Sequence, residues 1–193
     1  MRDIEIFNLI SNRLVEATMM HNELSDLFTY LGLKGFAKAQ EYQFLSEGYE
    51  MREVNRYAIS HIGSLIDNSN VKASSYIPSE LRNLSRFEVN SMDKRDVVRY
   101  AIETWLTWET ETKELYSNWC VELNNNHCVA SALFVEELVK DVDDELERVS
   151  DILVELKNVN FDMNDIALIQ KKYYEEYCLM IMDRLRTIRG KEW

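Results

Sequence analysis

Apolar side chains in the first 31 residues recur at steps of three and four: Phe7, Ile10, Leu14, Ala17, Leu24, Phe28 and Leu31, with His21 in the same row. That spacing puts one stripe on one helix face and predicts a long amphipathic helix over residues 3–31. LGLKG, residues 31–35, interrupts the row with two glycines, a stop signal. A second stripe of Phe44, Met51, Val54, Ala58, Ile62 and Leu65 predicts a helix reaching about residue 66. From Asp67 to Asp93 the pattern fades into Ser- and Asn-rich sequence holding the single proline, Pro78, which predicts a long connection with a short helix near 79–86. A third helix follows, with Val98, Ala101, Trp105, Trp108, Thr112, Leu115, Trp119 and Leu123, and stops at Asn124-Asn125-Asn126. A fourth is expected over about 128–158. FDMND, residues 161–165, then offers an Asn or Asp cap for a fifth, with Ile166, Ile169, Tyr173, Tyr177, Met180 and Leu185 and a basic last turn.

Two tight hairpins joined by one long link are what an all-α four-helix bundle with a crossover connection requires. Helices of about 30 residues span roughly 45 Å, within reach of the 67–93 segment. The expected organisation is a bundle over 1–160 with a fifth helix, 161–193, packed on it.

Polar residues inside apolar rows are the candidates for chemistry. Glu47 falls within the second helix's apolar arc, on the line of Val54, while Glu50 sits at its edge and Glu53 points away. Glu109 lies inside the arc of Trp105, Leu106, Trp108, Thr112 and Tyr116. His21 stands mid-stripe on the first helix, Glu16 borders that stripe, and Asp141 and Glu145 only border the fourth helix's face. Residues equally far from a hairpin turn lie at equal height. Glu47 is about 14 residues past the first turn and His21 about 13 before it, with Glu50 matching Glu16; Glu109 and Asp141 are each about 16 residues from the second turn. Both sets therefore fall mid-bundle. Buried carboxylates without partners are costly, so such a group must hold a cation, share protons or pair with a base. The alternatives are a core histidine with one hydrogen bond, and a Glu109 satisfied by Arg99 or a tyrosine hydroxyl.

Composition narrows the partners. Against 22 Lys and Arg stand 34 Asp and Glu, a net charge of −12, which argues against a nucleic-acid surface. No run of 18 apolar residues occurs, so no membrane span is expected. Cys120, Cys128 and Cys178 are odd in number and lack CxxC spacing, which fits reduced thiols and a cytoplasmic protein. Aromatic-rich helix faces, notably Tyr173, Tyr174 and Tyr177, predict a homo-oligomer. Glu47 and Glu50 would also suit the first half of the paired acidic motif of all-helical nucleotide pyrophosphohydrolases, but no ExxD follows at the distance that family uses.

HNELSDLFTYL on the first helix, GFAKAQEY and EMREVNRYAI on the second, and SALFVEELVKDVDDEL on the fourth resemble the ferritin-like superfamily over residues 10–158. The resemblance implies a crossover bundle with a Glu from the first and third helices and an ExxH pair from the second and fourth. Glu109 matches the third-helix ligand. On the first helix depth favours Glu16, whereas the NEL wording favours Glu23, outside the apolar face. In place of ExxH stand Glu47-Gly-Tyr-Glu50 or Glu50-Met-Arg-Glu53, and Asp141-Val-Asp-Asp144 or Glu137-Leu-Val-Lys140. The histidines are His21, His61 and His127, which excludes a two-histidine di-iron site. The expectation is a carboxylate-rich metal site drawn from Glu16, His21, Glu47, Glu50, Glu109 and Asp141, taking iron or another divalent metal. The alternative is a ferritin-like scaffold that has lost the chemistry and binds a protein partner.

Overall fold

The computed structural model describes residues 1–72, 74–82 and 84–190. Its long helices are α1 (Asp3–Leu31), α2 (Lys34–Tyr57), α4 (Arg95–Asn125), α5 (Val129–Asn158) and α6 (Met163–Gly190), with a short α3 (Arg86–Ser91) before α4. Among the described residues there is no strand, and no helix that is long and apolar enough to cross a membrane.

The α1–α2 turn shows why its two glycines differ. Gly32 caps α1 in the left-handed region, φ 81°, while Leu33 N–H closes back on Phe28 O at 2.8 Å. Gly35 lies inside α2 instead of breaking the chain. A Cβ there would lie 1.7 Å from the Gln170 carbonyl oxygen, so the missing side chain lets α6 approach. Gln170 Oε1 in turn accepts from Gly35 N–H at 2.7 Å, satisfying one open donor of the α2 N-terminus.

The second helix is expected to run to about residue 66, but its α-helical part ends at Tyr57. It continues as a π-helical turn, Ala58–Ile62, closed by Gly63 at φ 73°. The crossover then climbs the outside of α1. Asn8 Oδ1 accepts from Asp67 N–H, Glu16 from Lys72 N–H and Glu23 from Tyr76 N–H, and Tyr30 donates to Leu84 O. These four α1 residues recur at steps of seven or eight, one outer seam of the helix. The short helix expected near 79–86, where residue 83 lies outside the described residues, takes the form of a 3-10 turn at Ser79–Leu81 followed by α3. Lys94 Nζ donates to Leu31 O at 3.1 Å, which fixes the start of α4 beside the end of α1. At the far end Asn126 reaches the Met1 carbonyl at 3.0 Å, so α1 and α4 run antiparallel.

Asp162 caps α6, its Oδ1 accepting from Asn164 and Asp165 N–H. The helix descends parallel to α2, with Tyr173 against Phe36 and Tyr177 against Tyr42 at ring distances of 5.9 Å each. Tyr173 and Tyr177 are therefore buried inside the chain, which corrects their expected place on an oligomer surface; Tyr174 alone of the three is exposed. Residues 191–193, the end of the expected fifth segment, lie outside the described residues.

The core divides in two. One apolar cluster includes Met20, Leu24, Phe28, Phe36, Trp105, Val149 and Tyr177, and the other Ile6, Phe7, Leu14, Val54, Trp119, Val135 and Val142. On α2, α4 and α5 the two clusters are separated by a short stretch whose inward side chains are polar, and on α1 the buried His21, between Met20 and Leu24 of the first cluster, faces the same layer.

Candidate metal centre

That polar layer is built by His21 from α1, Gln40, Gln43, Ser46 and Glu47 from α2, Glu109 and Thr112 from α4, and Glu145 from α5, all buried. On α1, α4 and α5 these residues stand at helical spacing within rows of apolar residues, and on α2 they form a polar run between Ala39 and Val54, so folding each face inward carries its polar groups with it. His21 and Glu109 are 0% exposed and Glu47 is 5% exposed.

Three of these residues converge. One donor atom each from His21, Glu47 and Glu109 lie within 4.8 Å of one another. A single cation bonded at about 2.0–2.6 Å bridges donors at that separation. His21 Nδ1 is 2.8 Å from Gln40 Oε1. The Gln40 oxygen accepts, so the neutral ring carries its proton on Nδ1 and aims the Nε2 lone pair inward. Nε2 stands 3.4 Å from Glu109 Oε1. Among the described residues Nε2, both Glu109 oxygens and Glu47 Oε2 have no hydrogen-bond partner. A lone pair facing a carboxylate is favourable only with a positive charge between them, a metal ion or a proton. Arg99 does not supply it, pairing instead with Asp96 at 3.7 Å.

The acidic layer is electrostatically strained. Burial first, then the carboxylates of Glu50, Glu145 and Glu109, raise the Glu47 pKa well above its ordinary value. Burial followed by Glu109 and Glu50 does the same to Glu145. Glu50 is pushed up to about 8 by burial and then by Asp141, against the lowering effect of Arg184. Burial and Glu47 raise the Tyr116 hydroxyl well above 10.0. Neighbouring buried carboxylates thus hold protons unless a cation replaces them.

The six expected ligands separate into three groups. His21, Glu47 and Glu109 come together. Glu50 and Asp141 lie beside them on a polar cavity, Glu50 paired with Arg184 at 3.5 Å and Asp141 at the exposed rim. Glu16 stands apart with the crossover, its carboxylate taken by Lys72 N–H at 2.8 Å, and Glu23 is likewise occupied by Ser75 and Tyr76. Helix α1 therefore contributes an imidazole and no carboxylate to the converging group. His61 is stacked on Tyr57 near the bundle end, and His127 lies in the α4–α5 turn.

Two contributors stand outside the six expected ligands. Glu145, expected only to border the fourth helix's face, occupies the row Leu138, Val142, Val149, Ile152 and is only 6% exposed. Gln40 also lies in a readable polar row, Gln40-Gln43-Glu47, but its bond to His21 belongs to the tertiary structure.

The architecture is matched by solved structures of ferritins. An open-pore ferritin from the hyperthermophilic archaeon Archaeoglobus fulgidus superposes with a TM-score of 0.72 at 17% identity, covering 90% of this chain and 96% of that one. A ferritin from the multicellular green alga Ulva pertusa gives 0.76 at 17% identity, over 91% and 84%. A humanized archaeal ferritin gives 0.73 at 16% identity, over 90% and 94%. No protein-family model and no curated protein sequence matches the chain. The protein has the ferritin-like fold.

Proposed function

We propose that this is a ferritin-like metal-binding protein whose interior group, His21, Glu47 and Glu109, takes a divalent cation. The observation that carries the reading is the His21 imidazole, oriented by Gln40 with its unpartnered Nε2 toward the unpartnered Glu109 carboxylate. Two carboxylates and one imidazole are a donor set for iron, manganese or zinc. The likeness to ferritins puts iron first, with Fe(II) as the substrate of oxidation by dioxygen and its storage as the biological role. Glu47 and Glu109 supply negative charge, while Gln40 fixes the ring that offers the nitrogen.

Elemental analysis of protein grown with and without added iron, with melting curves in Fe(II), Mn(II) and Zn(II), tests this. Metal retained after desalting and a raised Tm support it. No metal and no thermal shift remove it, leaving a helical scaffold whose buried acids share protons and whose function lies with a protein partner. The Arg184–Glu50 pair and the lack of histidine at either ExxH position favour that second reading.

We also propose a cytoplasmic homo-oligomer. Val121, Val129, Leu133 and Leu168 are more than half exposed, and the three cysteines are free thiols. Light scattering at micromolar concentration showing a monomer would remove the assembly.

A further inference from the structure

The acidic layer extends beyond the converging trio into a polar cavity of about 160 Å³. Its walls include Ser46, Glu50, Asp141, Glu145, Arg148 and Arg184. Glu145 is 6% exposed, and the Ser46 Oγ is buried without a hydrogen-bond partner among the described residues. Carboxylate and hydroxyl oxygens around a small polar space are the donor type of a hard divalent cation. Two guanidiniums oppose such an occupant: Arg148 lines the cavity beside Glu145 and Asp141, and Arg184 Nη2 stands 3.5 Å from Glu50 Oε1 as an ion pair, with the two side chains 24% and 12% exposed.

Helix α6 delivers the Arg184 guanidinium. The parallel contacts Phe36 with Tyr173 and Tyr42 with Tyr177 set α6 in register on α2, and the same register brings Arg184 opposite Glu50. Its guanidinium carbon also lies 4.8 Å over the Tyr49 ring. An arginine cannot relieve the conflict with an incoming cation by losing its proton, because it stays charged at any ordinary pH.

We infer that Arg184 is the resident counterion of this cavity and thereby restricts the bundle interior to one divalent cation, held by His21, Glu47 and Glu109. The inference rests on the metal-binding reading above and adds a residue that determines stoichiometry. Arg184 neutralises Glu50 and repels a second ion; without it, the carboxylates of Glu50, Asp141 and Glu145 outnumber the one remaining guanidinium, Arg148, and with Ser46 form a set of oxygen donors next to the first site.

Titration of the full chain with Mn(II), by calorimetry and by elemental analysis after desalting, tests it. The wild type takes one Mn(II) per chain and Arg184→Met takes two. Arg184→Lys, which keeps the charge, stays at one, and adding Glu50→Gln to Arg184→Met returns the count to one. Arg184→Gln provides the same comparison where the methionine variant does not fold. A wild type that takes two ions, or a folded neutral variant that takes one, overturns the role of Arg184 and leaves the interior site standing. A wild type that takes none overturns the interior site and this inference together.

Discussion

Gln40 Oε1 and His21 Nδ1 are 2.8 Å apart, and this contact decides which imidazole nitrogen faces Glu109. Both residues are fully buried, so the ring has no water-filled space in which to reorient. Replacing Gln40 by Leu removes the acceptor while keeping the volume nearly unchanged, and the tautomer is no longer fixed. Mn(II) affinity should fall about 10- to 100-fold, the usual cost of losing an orienting partner behind a metal-bound histidine. Unchanged affinity in a calorimetric titration would show that Gln40 does not orient the ring.

Glu109→Gln separates metal binding from a structural role. Two unpartnered carboxylate oxygens in a fully buried setting destabilise the metal-free chain. The amide should therefore leave the metal-free Tm unchanged or raise it, and should abolish the shift produced by Mn(II). An ion pair with protonated His21 as the dominant contribution predicts the reverse: a loss of about 3–5 kcal/mol and no metal effect in either protein. Scanning calorimetry distinguishes the two.

Stability of the metal-free protein should fall as pH rises from about 5 to 9. Glu50 has an ordinary pKa of 4.5 and is pushed up to about 8 in the fold, and Glu47 and Glu145 move in the same direction. Between the unfolded and folded values the folded state binds more protons, so its advantage is complete below about 4.5 and is lost as pH passes through the folded pKa. Asp141 opposes and Arg184 assists ionisation of Glu50. Saturating Mn(II) should flatten the decline, since a cation substitutes for the protons. Urea denaturation at several pH values, with and without Mn(II), measures both slopes.

Gly35→Ala should weaken the α2–α6 contact. The added Cβ would meet the Gln170 carbonyl oxygen at 1.7 Å, and that atom is backbone, so α6 must move. A loss of about 1–3 kcal/mol is expected in chemical denaturation, as for other overpacked sites. The same shift should loosen the Arg184–Glu50 pair at the far end of the helix.

The three converging residues were legible because each interrupts an otherwise apolar row: His21 between Ala17 and Leu24, Glu47 before Val54, and Glu109 between Trp105 and Thr112. A helix is a rigid rod of about 1.5 Å per residue, so distance from a tight turn converts directly into height. Row position and height together placed all three in one layer before any contact was known. The crossover bundle followed from the same reading, since one long unpatterned segment between two hairpins admits few paths.

Glu16 marks where that reading stops. It borders the α1 stripe at the right height for an interior ligand, yet the crossover takes the seam Asn8, Glu16, Glu23 and Tyr30 and turns its carboxylate to Lys72 N–H. A border position belongs to whichever neighbour packs beside it, and an irregular segment carries no periodicity to show which side it takes. The α6 register was hidden for a related reason. Tyr173 and Tyr177 could equally have faced another copy of the chain; the gap at Gly35, filled by the Gln170 backbone, places them against Phe36 and Tyr42 and carries Arg184 to Glu50. Periodicity along one helix determines which face is apolar, whereas the partner that covers it depends on the shape of surfaces distant in sequence, and that only the tertiary structure decides.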